Sequence, residues 1–149
     1  MKTILLTFAF FIIMSCSSTT DDETFISQTI TPVLIAKGSL MGSENIAPQN
    51  VVFYNRIDWL NTINLIDQFR LARFTETNNV DFDRYQIIAV FDKVYGNPTN
   101  QVNISSIVEN SNNFIVTVQI IYQPSIASVM DQKFHIVKIP KSNKPVIFQ

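Results

Sequence analysis

The chain holds few residues able to do chemistry: one cysteine (Cys16), one histidine (His135) and three glycines in 149 residues. That stock cannot build a His/Cys zinc cluster, a Cys–His dyad inside a folded domain, or a glycine-rich phosphate loop. His135 lies in the alternating stretch Phe134-His135-Ile136-Val137-Lys138-Ile139. A general base there would need a nucleophile and an orienting partner within hydrogen-bond reach. The pattern instead favours a strand histidine facing solvent or packed at an edge. Asp81 and Asp83 flank Phe82, and in an extended segment that spacing puts both carboxylates on one side. Such a pair can hold calcium or divide into acid and base. With His135 it is the set from which a hydrolase or metal-binding enzyme could be assembled. No further oxygen ligand or glycine-turned loop lies nearby in sequence, so Phe82 as a loop anchor between solvated aspartates is the preferred reading. Ser105, Ser106, Ser125 and Ser128 lack the flanking glycines of a nucleophile elbow. The sequence thus predicts no catalytic residue, no metal site and no cofactor.

A different kind of site is suggested by Gly96-Asn97-Pro98-Thr99-Asn100, which joins two apolar stretches. Gly96 permits positive φ and Pro98 fixes its own, so the tip is expected to be stiff. Asn97, Thr99 and Asn100 supply donors and acceptors there. A preorganised polar loop on a sheet scaffold loses little ordering entropy on binding. The same residues also make an ordinary hairpin turn, and the sequence leaves both readings open.

Cys16 has its own context. Met1-Lys2 gives a positive start, and Ile4 to Met14 (ILLTFAFFIIM) is an apolar run of eleven interrupted by Thr7. That is too short to span a bilayer, which takes about 20 apolar residues, but suits the core of a signal peptide. Ile13-Met14-Ser15-Cys16 resembles the bacterial lipobox. The resemblance implies a diacylglyceryl group on the Cys16 thiol, cleavage before it and acylation of the new amino terminus. Several acyl chains on one residue anchor stably, and lipidation also accounts for a lone thiol in an exported chain. Ser17 to Glu23 (SSTTDDE) then reads as a polar tether. Its acidic trio is either a solubilising linker or, by resemblance, the export tag of Bacteroidetes surface lipoproteins.

The elements that must position these residues are mostly strands. Thr31–Leu40, Val51–Tyr54, Tyr85–Phe91, Val102–Val108, Phe114–Tyr122, Lys133–Ile139 and Val146–Phe148 are apolar or alternating and bounded by turn formers. The last two are expected to form a hairpin about Pro140–Lys144. Along Val102–Val108, Val102, Ile104, Ser106 and Val108 are expected on one face, against Asn103, Ser105 and Ile107 on the other. Asn55 reads as a helix N-cap. From it Ile57, Leu60, Ile63, Ile66 and Phe69 mark one face of a helix of about 13–15 residues, with Trp59 as a core anchor. The expected fold is mainly β (α+β): an antiparallel sandwich-like or partly closed sheet of about six to seven strands with one amphipathic helix packed on it. Residues 1–15 form the leader, 16–24 the lipidated cysteine and tether, and 25–149 a single domain.

Composition limits the partners. With Lys2 removed, ten basic side chains face twelve acidic ones, a net charge near −2, which offers no electrostatic footprint for nucleic acid. At 46% hydrophobic and 15% charged, the chain is a folding sequence and not a disordered tail.

Residues 80–148 resemble the C-terminal domain of the PrcB-type protease complex subunit family. The likeness rests on Val80-Asp81-Phe82-Asp83 before a buried strand, the Gly96…Pro98-Thr99 loop, the two following strands and the closing Phe134-His135-Ile136-Val137-Lys138-Ile139-Pro140-Lys141. It implies a non-catalytic envelope lipoprotein, anchored in the outer membrane through acylated Cys16, that assists a secreted protease or another envelope protein. Asn97-Pro98-Thr99 also resembles the recognition loop of chagasin-like cysteine-protease inhibitors, which implies peptidase inhibition as an alternative.

Overall fold

The computed structural model describes residues 25–96, 99–124 and 126–149; Cys16, the leader, the tether, Asn97, Pro98 and Ser125 lie outside the described residues. The described chain is mainly β, with eight strands in two four-stranded sheets and two short helices. The strands are β1 (Gln28–Thr29), β2 (Val33–Leu40), β3 (Gln49–Phe53), β4 (Tyr85–Tyr95), β5 (Gln101–Glu109), β6 (Phe114–Ile121), β7 (Asp131–Pro140) and β8 (Val146–Phe148); the helices are α1 (Arg56–Ile63) and α2 (Gln68–Leu71). One sheet has the order β2-β7-β4-β3, the other β1-β5-β6-β8. All pairs are antiparallel except β6 with β8.

Three layers result. β4 is nearly continuous apolar sequence because both its faces are covered. Ile87, Ala89 and Phe91 pack under the helices with Trp59, Ile63, Ile66 and Phe134. Ile88 and Val90 point the other way, into a second core with Val102, Ile104, Ile107, Val116 and Val137 from both sheets. Trp59 is fully buried, meets Phe53 edge-on at 5.4 Å between ring centroids, and donates its Nε1–H to the Thr77 carbonyl at 2.7 Å. A buried indole keeps its polar end satisfied in this way.

The single long helix expected from the spacing is two short ones. Asn55 caps α1 by accepting from the Asp58 N–H at 3.0 Å. The helix then stops after Ile63, because Asp67 takes an extended backbone and caps a new turn through the Arg70 N–H. Asn64 and Asp67 thus prefer capping to helix-interior conformations. The break rotates the apolar set: Trp59, Ile63 and Ile66 go inward, whereas Ile57 and Phe69 are 71% and 73% exposed.

β8 does not form a hairpin with β7. β7 already has β2 and β4 on its two edges, so the chain crosses to the other sheet and adds β8 parallel to β6, Phe114 opposite Val146. The inward face of β5 also differs from the simple alternation. A bulge between Ile104 and Ser106 shifts the phase, and Val102, Ile104 and Ile107 become the buried residues. A second bulge, between Phe91 and Val94 of β4, is pinned by fully buried Gln132, whose amide donates to the Asp92 and Ile46 carbonyls at 2.9 Å each.

Candidate functional site at a polar corner of the sandwich

Side chains on the inner face of a sandwich are usually apolar, and at one end of β7 they are: Val137 and Ile139 pack between the sheets. Continuing by twos along the same face come His135, Lys133 and Asp131. Pairing sets Lys37 of β2 opposite His135 and Ser39 opposite Lys133, so five polar residues share one corner of the inter-sheet space. β5 faces them. β1 covers β5 only at Val108 and Glu109, plus the Ile107 carbonyl, which accepts from the Ile30 N–H. Past Pro32 the chain belongs to the other sheet, so among the described residues no strand neighbours the earlier part of β5 on that side.

Side chains from the facing sheet close most of the gap. The Ile104 N–H donates to His135 Nδ1 at 2.8 Å, and the Lys37 ammonium donates to Asn103 Oδ1. The Lys133 ammonium donates to Ser39 Oγ at 2.7 Å and pairs with the Asp131 carboxylate at 3.0 Å. Burial, and secondarily the Lys37 charge, push the His135 pKa down to about 4. The ring is therefore neutral near pH 7, with a bare Nδ1 as acceptor and the proton assigned to Nε2. What stays open is a cavity of about 170 Å³ bounded by Lys37, Ser39, Asn100, Val102 and Lys133.

The polar 96–100 connection adjoins this corner. Gly96 is exposed and its φ is not in the left-handed region; Gly42 is the glycine with positive φ among the described residues. Thr99 Oγ1 donates to the Gln123 carbonyl at 2.7 Å, and Asn100, 3% exposed, accepts from the Gln123 N–H at 3.4 Å. These two side chains strap the connection to the end of β6. The Tyr95 and Tyr122 hydroxyls, 3.1 Å apart, tie the same two segments, with the rings edge-on. The bond to Tyr122, then burial and the Asp92 charge, push the Tyr95 pKa up to about 12. Beyond this strap the β6–β7 connection exposes Tyr122, Ile126, Val129 and Met130.

The acidic pair and the histidine are not brought together. Asp81 Oδ1 accepts from the Asp83 N–H at 3.0 Å and the Asp81 carbonyl accepts from the Tyr85 N–H, an Asx-turn leading into β4. Tyr85 pairs with Pro140 and Val90 with His135. Five residues of strand, about 17 Å, therefore separate the two ends. Among the described residues no three of His, Cys, Asp and Glu are placed to hold a metal, and no helix is long and apolar enough to cross a membrane. Ser105, at the β5 bulge, donates to the Thr117 carbonyl. Sequence reasoning missed Lys37, Asp131 and Lys133. The signal was the Asp131-x-Lys133-x-His135 alternation, but its opposite face (Gln132, Phe134, Ile136) is buried too, and a strand's alternation does not say which face meets a second sheet. Comparison of the chain with protein-family models, with curated proteins and with solved structures finds no match.

Proposed function

We propose that this protein is a lipid-anchored, non-enzymatic envelope protein that works by docking a partner protein at the sandwich end bearing Tyr122, Ile126, Val129 and Met130. The observation that carries the reading is that all four exposed apolar side chains, Ile126 completely so, lie on the one connection between β6 and β7. Exposed apolar groups rimmed by polar residues mark interaction surfaces. The position of that end supports the same reading. Gln101 pairs with Ile121 beside the apolar connection, whereas Glu109 pairs with Gln28 at the other end of β5, about 27 Å away at strand rise. The chain enters at the Glu109 end, where Ser27 bonds Asn110 and Lys144 lies 4.1 Å from the Phe25 ring centroid. Cys16 precedes Phe25 by nine residues, a reach of at most ~30 Å. A lipid on Cys16 would tether the molecule through its entry end, and the apolar connection lies at the opposite end of the domain from that point of attachment.

His135 spends its acceptor nitrogen on a backbone N–H, and Asp81 spends a carboxylate oxygen on a turn, which favours a binding role over acid–base work. The partner class, a secreted protease, is the one implied by the likeness to PrcB-type subunits. The test is a photo-cross-linker at Ile126 in intact cells, with palmitate labelling of wild type and Cys16→Ser. The reading expects one recurrent cross-linked protein and label that vanishes with Cys16. It is overturned if no discrete adduct forms, or if the Cys16→Ser chain keeps its label.

A further inference from the structure

We propose that the polar corner between β2, β7 and the start of β5 is a carboxylate-binding subsite that takes the free C-terminus of an extended peptide. The inference rests on the docking role above and names the chemistry of a second contact beside it.

Charge comes first. Lys133 is compensated by Asp131 at 3.0 Å, but Lys37 has only the neutral Asn103 amide, and no carboxylate lies within ion-pair distance of it among the described residues. Lys37 is exposed at the mouth, whereas the Lys133 side chain is 17% exposed inside. An ammonium carries three donors; on Lys133 Ser39 Oγ accepts from one, while Asp131 Oδ2 lies at ion-pair distance without a hydrogen bond. One uncompensated cation and the remaining N–H capacity of Lys133 therefore border the opening, a pattern that selects an anion able to accept from both. The low His135 pKa has the same origin in part, since Lys37 makes the corner electropositive.

Shape and backbone narrow the ligand further. The cavity, about 170 Å³, is smaller than the roughly 300–1,000 Å³ of sites for drug-sized molecules, so it suits a terminal residue and not a metabolite. Among the described residues no strand pairs with β5 at Gln101–Asn103 on its β1 side, so an extended segment entering there can hydrogen-bond along the strand edge, as peptides do when they add to a sheet. His135 already occupies the Ile104 N–H, which stops such a segment at that point. A chain that must stop there, beside two ammonium groups, is best matched by one that ends in a carboxylate.

The experiment uses the full-length protein in detergent and follows backbone amide shifts on titration with Ac-Ala-Val-Ala bearing a free C-terminus, and with its C-terminal amide. Saturable shifts are expected at Ser39, Val102 and His135 with the acid, and about tenfold weaker binding of the amide, the scale of one charge-assisted hydrogen bond. Lys37→Gln should weaken the acid by a similar factor and leave the amide unchanged, while Lys37→Arg should retain binding. Lys37 is exposed, so the melting temperature of both variants checks folding independently. Equal binding of acid and amide, indifference to Lys37→Gln, or no shifts at the corner overturns the subsite. If the Ile126 adduct persists while peptide binding is absent, the subsite fails and the docking reading stands. If peptide binds but no adduct forms, the docking reading fails.

Discussion

His135 and Ile104 belong to different sheets and are joined by one hydrogen bond, from the Ile104 N–H into Nδ1 at 2.8 Å. The bond requires a neutral ring. Folding lowers the His135 pKa from 6.5 to about 4, so the native state resists protonation that the unfolded chain accepts. The stabilisation is complete above pH 6.5 and is lost as pH falls from 6.5 through 4. Because the ring is only half-buried, the loss should be on the order of 1–2 kcal/mol, below the unscreened linkage value. Urea midpoints between pH 7 and 4 should fall for wild type and flatten over that window in His135→Gln.

Tyr95 should be the late-titrating tyrosine. Its hydroxyl is tied to Tyr122, and its pKa is pushed up to about 12 from 10. Ultraviolet titration should show one phenol ionising well above the rest. Tyr122→Phe removes the largest cause and should bring that phenol back toward 10; an unchanged curve would exclude the pairing.

Gly42 sits at φ +79°, and a Cβ there would lie 2.7 Å from Val94 Cγ1. Gly42→Ala therefore adds backbone strain to a steric clash, and a loss of roughly 1–3 kcal/mol is expected by chemical denaturation. Adding Val94→Ala should recover only part of it, since trimming the neighbour leaves φ as it was. Full recovery would mean that the backbone contributes nothing.

Ile126→Asp with Val129→Asp changes exposed side chains, so stability should stay within about 0.5 kcal/mol of wild type. Partner cross-linking from a probe at Tyr122 should nevertheless drop at least several-fold. A full yield of adduct from this variant would remove the apolar connection from the docking surface.

The strands were legible because period-two patterns and turn formers act locally: seven of them can be read from residues such as Ile87–Phe91 and Phe114–Val118. What could not be read depended on the third dimension. β1 is two residues long and exists only because β5 offers an edge to Gln28 and Thr29. The β5 bulge reverses the faces of Ser106 and Ile107 without any glycine or proline to announce it. Asn64 closes α1 and Asp67 starts α2, where hydrophobic spacing alone carries a single helix through to Phe69. Likewise, His135 was visible as a strand residue, but its companion Lys37 lies far away in sequence, and only the β2–β7 register sets them side by side.

That register has a consequence for how the molecule is made. β7 is an inner strand of its sheet, flanked by β2 and β4, and it arrives ~100 positions after the partner it must meet, a separation typical of slow-folding topologies. Until ribosomes have delivered it, β2 has no neighbour and the sheet stays open between β2 and β4. Closure of that sheet is therefore a single late event, in which β7 docks against β4 and gives β2 its neighbour at the same time.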